Sequence, residues 1–114
     1  MNHEDVSTEV LRASGEAVLE LVAPMEDEAE FFASRNTITA VENLLLAMAS
    51  ALARLPATQQ TRLHELDWHG WSALYECLLH DRQPRHEEIW YAVSALVPCT
   101  LSMFRRKRVV GVQH

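Results

Sequence analysis

The apolar residues Ile38, Val41, Leu44, Leu45, Met48, Leu52 and Leu55 recur at intervals of three and four, and Pro56 follows directly. Residues at that spacing share one side of an α-helix, here over more than about four turns. The opposite side carries Asn36, Thr39, Glu42, Asn43, Ser50 and Arg54. A stripe this long has to be covered, either by the chain's own core or by a helix of a second copy. No stretch alternates apolar and polar residues as a half-buried strand does, and 3 Gly and 4 Pro leave little material for hairpins. The chain is therefore expected to be all-α, an antiparallel bundle of four to five helices with short connections.

The other helices follow by the same reasoning. Val10, Ala13, Ala17, Val18, Leu21 and Val22 mark a first helix with Ser7 or Thr8 as N-cap and Pro24 as its stop. The acidic run Glu26 to Glu30 reads either as a loop or as the first turn of the next helix, where negative charge suits the dipole. Residues 57–66 are polar and offer a short helical turn at most. Asp67 is a good N-cap for a helix carrying Trp68, Trp71, Leu74, Tyr75, Leu78 and Leu79, and Asp81-Arg82-Gln83-Pro84 breaks it. A last helix opens near Pro84 with Glu87 and Glu88 in its opening turns. Its stripe is Ile89, Trp90, Val93, Leu96, Val97, Thr100, Leu101 and Phe104, and Pro98 should kink it.

With 114 residues, the chain suits a single domain, residues 1–114, with 1–8 and 105–114 expected to be flexible. Hydrophobic residues at 48% and charged residues at 23% argue against disorder. The net charge of −6 argues against a general nucleic-acid binder. Positive charge gathers at Arg105, Arg106, Lys107 and Arg108, which reads first as a solvated tail and second as a feature steering an acidic partner. No apolar run approaches a membrane span and the N-terminus does not resemble a signal peptide, so a cytoplasmic protein with no membrane partner is expected. Cys77 and Cys99 fit no redox or zinc spacing and read as two reduced, structural thiols.

The chemistry-bearing residues crowd into 66–98, which hold all three tryptophans and both tyrosines. Cys77 and His80 share a helix face, with His64, His69 and His86 near in sequence, yet no metal-ligand motif forms. No metal or cofactor is expected. Ser72 lies mid-helix without the glycine turn that an activated serine needs, and no recognition helix rich in basic residues follows 81–84. The tryptophans read as core residues joining the last two long helices. His80 differs, because it ends an apolar helix beside Asp81, Arg82 and Arg85. An imidazole there can serve as general acid or base near neutral pH, though a terminal histidine is more commonly a helix cap.

ALARLP at 51–56, LDW at 66–68, the helix leading to His80 and IWYAVSALVP at 89–98 together resemble, in order and spacing, the HepT-like branch of the HEPN superfamily. The resemblance covers about two-thirds of the chain. It implies a small helical homodimer encoded beside an MNT-type minimal nucleotidyltransferase as a toxin–antitoxin pair, with RNA or a nucleotide as ligand. Active relatives are metal-independent ribonucleases. An arginine stabilises the phosphate, a histidine four to six residues later moves the proton, and the RNA 2′-hydroxyl attacks. Commonly a tyrosine follows the histidine by two, and in such pairs the nucleotidyltransferase can modify it. Here His80 takes the histidine position, Tyr75 followed by Glu76 stands where the arginine is expected, and Arg82 stands where the tyrosine is expected. Tyr75 brings no positive charge and Glu76 repels phosphate, so the resemblance implies a HepT-like fold with ribonuclease activity weakened or lost. The alternative it leaves open is a working ribonuclease toxin that uses His80 with Arg82 or Arg85.

Overall fold

The stripes read from the sequence close on one another as packed helices. In the computed structural model of the chain, residues 3–80 and 85–112 are described, with side chains over 8–80 and 86–105. All regular structure among them is helical: α1 (His3–Val22), α2 (Glu28–Ala33), α3 (Arg35–Ala53), α4 (Ala57–Arg62), α5 (Trp68–His80), α6 (Arg85–Tyr91), a π-helical turn (Ala92–Leu96) and α7 (Val97–Val112). The segment expected to break the helix after Asp67, 81–84, lies outside the described residues, as do the side chains of Arg106, Lys107 and Arg108.

α1 begins at His3, so Ser7 and Thr8 lie inside it and neither is its N-cap. No proline or glycine interrupts residues 3–9, and the helix runs on through the polar stretch expected to fray. The acidic run resolves into both of its readings. Asp27 caps α2, its Oδ1 accepting from the Glu30 amide at 2.9 Å, and Glu28 and Glu30 occupy the first turn. α2 is short but anchored, because Phe31 is fully buried.

The stripe of α3 is core. Val41, Leu45, Met48, Leu52 and Leu55 are buried, and Ile38 and Leu44 pack against that cluster. By length and composition α3 is also apolar enough to cross a membrane, contrary to the expectation that no run reaches that length. In this fold its stripe is covered by α1 on one side and α5 on the other. α1 also packs on α7, and α5 packs on α6 and the π-turn, so the four long helical segments form a closed ring. α1 and α7 approach closely at Gly15, where a Cβ would lie 2.8 Å from Leu101 Cδ2.

α5 and the C-terminal helix run antiparallel. Four residues join His80 to Arg85, while Trp71, near the start of α5, reaches Thr100 far along the other helix. The Trp71 Nε1–H donates to Thr100 Oγ1 at 3.0 Å in a buried setting. That bond satisfies a donor that would otherwise cost about 1–3 kcal/mol to bury. Trp71 thus joins the two long helices as expected. Trp68 instead donates to the Leu63 carbonyl at 2.9 Å and pins the preceding loop, and Trp90 packs on Phe31 with ring centroids 5.7 Å apart.

The proline in the last helix is met by a π-turn in the residues just before it. The Val97 amide bonds the Ala92 carbonyl five residues back, and the Ser94 hydroxyl donates to the Trp90 carbonyl at 2.6 Å. A wider turn accommodates the ring that would otherwise crowd the carbonyl one turn earlier. The expected stripe is buried or half-buried throughout, and Ala92 and Met103 join it.

Candidate functional site

His80 closes α5 with its side chain about half exposed, and Glu76 one turn earlier is equally exposed. The imidazole Nε2 lies 3.5 Å from Glu76 Oε1. Residues four apart lie only about 40° apart around a helix, so the histidine and the carboxylate share a face. Beside them on the outer surface is Leu79, 49% exposed.

Tyr75 lies elsewhere. Five residues before His80, it sits about 140° round the helix, and its half-buried ring packs against the core cluster. The group nearest the histidine from the expected motif is therefore an acid, and the residue at the arginine position is used for core contact. Arg82 lies outside the described residues, and Arg85 opens α6 with a side chain that is also outside them.

The same end of the bundle holds a junction that the sequence did not reveal. The Phe32 and His86 rings stack at 4.1 Å, with an interplanar angle of 22°, and Phe32 meets Phe31 edge-on at 4.8 Å. His86, near His80 in sequence but part of no metal-ligand motif, is exposed and fastens α2 to the first turn of α6. His64 and His69 are exposed, and among the described residues no three His, Cys, Asp or Glu side chains gather as a metal site. Ser72 is exposed on the outer face of α5. Cys77 is buried, whereas Cys99 is exposed, so only the first fits the structural reading.

At the opposite end of α5, Asp67 does more than cap the helix. Its Oδ1 accepts from the Gly70 amide at 2.8 Å, and its Oδ2 accepts from the Tyr91 hydroxyl at 2.6 Å. The tyrosine's hydrogen bond, followed by the Gly70 amide, holds the Asp67 carboxyl below its ordinary range. The same bond pushes the Tyr91 hydroxyl up. Gly70 is required by this geometry, since a Cβ there would fall 2.6 Å from Asp67 Oδ2. The sequence marked Asp67 as a cap but gave no partner for Tyr91, which falls off the apolar stripe with 47% of its surface exposed. No protein-family model, curated protein or solved structure matches this chain.

Proposed function

We propose that the chain is a HepT-like HEPN protein: a cytoplasmic homodimer that partners a minimal nucleotidyltransferase in a toxin–antitoxin-type module, with ribonuclease activity weakened or lost. The observation that carries the reading is the pairing of His80 with Glu76 at 3.5 Å, at the helix end where the motif asks for a histidine served by a cation. An exposed imidazole can still donate or accept a proton. A carboxylate on its own face, however, disfavours the polyanionic backbone of RNA and cannot stabilise charge developing on phosphate. Tyr75, engaged with the core, does not make up the loss. The exposed Leu79 beside the pair gives a second copy an apolar contact at the same place.

The test is an RNA-cleavage assay on the purified chain, with and without a co-expressed nucleotidyltransferase, together with solution mass. The expected result is a dimer that binds the partner and leaves RNA intact. Cleavage that disappears in His80→Ala would replace this reading with that of a working ribonuclease drawing its cation from Arg82 or Arg85. A monomer at micromolar concentration would count against both.

A further inference from the structure

Asp67 and Trp71 stand one helical turn apart at the start of α5, the Trp71 amide bonding the Asp67 carbonyl at 3.0 Å. Both hold the C-terminal helix. Asp67 takes the Tyr91 hydroxyl at 2.6 Å, and the Trp71 indole donates to Thr100 Oγ1 at 3.0 Å. Their two partners lie on either side of the π-turn, Tyr91 directly before Ala92–Leu96 and Thr100 beyond it.

In a regular α-helix, residues nine apart lie about 180° apart, so Tyr91 and Thr100 would leave the helix in opposite directions. Groups one turn apart at one end of α5 would not reach both. A π-turn closes on the fifth residue instead of the fourth and so holds one residue more. The Val97 amide makes that bond here, to the Ala92 carbonyl. With one residue absorbed, Tyr91 and Thr100 come within about 80° of each other.

The cleft beside Asp67 gives an independent measure of the same offset. It is lined by Tyr91 from before the turn and by Cys99 and Met103 from after it. A regular helix would set these two about 80° and 120° from Tyr91, whereas absorbing one residue brings both to within about 20°. Pro98 alone does not require this, because a kink also relieves a proline ring.

We propose that the π-turn is a phasing device: it takes up one surplus residue so that Tyr91 and Thr100 meet the same end of α5, and those two bonds hold the helix in the wider winding. The device lies at the far end of α5 from His80 and does not rest on the HepT-like reading.

The test uses thermal melts by circular dichroism and two-dimensional amide spectra of the full chain. Three variants are compared: Pro98→Ala alone, Pro98→Ala with Ser94 deleted, and Pro98→Ala with an alanine inserted after Ser94. A π-turn caused only by the proline would revert to α-helix in Pro98→Ala and lose one of the two bonds. The expected result is that it persists, with the Trp71 indole N–H, assigned by its absence in Trp71→Phe, still protected from exchange. Deleting Ser94, an exposed residue, removes the surplus and leaves a plain α-helix in the same phase. That variant should melt cooperatively within about 4 °C of Pro98→Ala, the scale of a single hydrogen bond. In it, Tyr91→Phe and Thr100→Val should each lower the melting temperature as much as they do in Pro98→Ala. The insertion turns Thr100 by about a further 100°, so it should abolish the indole protection and melt lowest. An unfolded deletion variant, or loss of indole protection in Pro98→Ala, would overturn the proposal. So would Tyr91→Phe or Thr100→Val having no effect in the deletion variant, or an insertion tolerated as well as the deletion.

Discussion

The Asp67 carboxylate bonds two elements at once: Oδ1 takes the Gly70 amide of its own helix at 2.8 Å, and Oδ2 takes the Tyr91 hydroxyl of the antiparallel helix at 2.6 Å. An N-cap ordinarily fixes only where a helix starts. Here the same side chain also ties that start to the C-terminal helix, close to the π-turn that precedes Pro98.

Asp67→Ala should therefore lose a cap and a cross-helix bond, destabilising the chain by about 1–2 kcal/mol, whereas Asp67→Asn should recover most of that. The pH dependence follows from the directions of the shifts. The folded carboxyl lies below its ordinary value, so its contribution is present above the unfolded value, near 4, and is lost as pH falls through the folded one. The folded Tyr91 hydroxyl lies above its ordinary value, so its share is present below about 10 and is lost as pH rises through the folded value. Thermal melts across pH should show both flanks flattened in Asp67→Asn. Wild-type acid and alkaline flanks in that variant would refute the assignment.

The Trp71–Thr100 bond makes a separable prediction. Thr100 is 1% exposed and Trp71 3%, so Thr100→Val preserves shape but strands a buried indole N–H. The cost should be about 1–3 kcal/mol in urea unfolding. Trp71→Phe in the Thr100→Val background should cost less than Trp71→Phe alone, because the acceptor has already gone and the substitution removes the stranded donor. Additive losses would show that the bond contributes nothing of its own.

At Gly15 the sign of a substitution depends on its neighbour. Alanine gains about 1 kcal/mol of helix propensity, but its Cβ would meet Leu101 at 2.8–3.1 Å in a buried contact between α1 and α7. Overpacking costs about 1–3 kcal/mol, so Gly15→Ala should lower stability in the native background. In Leu101→Ala the crowding atoms are absent, and the same change should raise it. Denaturant melts of the four proteins give the answer. A destabilising effect of equal size in both backgrounds would place the strain elsewhere.

These contacts mark the boundary of what the sequence makes legible. Three-four periodicity located α3, α5 and the C-terminal helix, because a buried stripe leaves its mark on every turn. Asp67 was legible as a cap because capping is local. Which residue met its second oxygen was not, since Tyr91 lies 24 positions away and its place off the apolar stripe gave no sign of a partner. The start of α1 was missed for a related reason: polar residues carry no periodic signal, so the helix extended past Val10 unseen. Pro98 announced a distortion, but the form it takes, a π-turn with Ser94 bonded to the Trp90 carbonyl, depends on backbone geometry. At the candidate site, the sequence marked Glu76 as an acid that repels phosphate, while its approach to His80 and the use of Tyr75 as a core contact emerged only from the fold.

The motif reading can be tested by repair. Tyr75→Arg with Glu76→Gln restores a cation at the motif position and removes the carboxylate facing His80. Tyr75 is half-buried against the core, so the double variant should lose about 1–2 kcal/mol of stability, within the ordinary range for disturbing such a contact. His80→Ala, at an exposed position, should change stability by less than about 0.5 kcal/mol. If the chain is a HepT-like protein whose nuclease has decayed, the repaired variant should cleave RNA measurably faster than wild type, without added metal. Adding His80→Ala should return it to background. Cleavage that persists without His80 points to a contaminating nuclease. A folded, dimeric repaired variant with no cleavage would remove the main support for assigning a ribonuclease ancestry to this helix end.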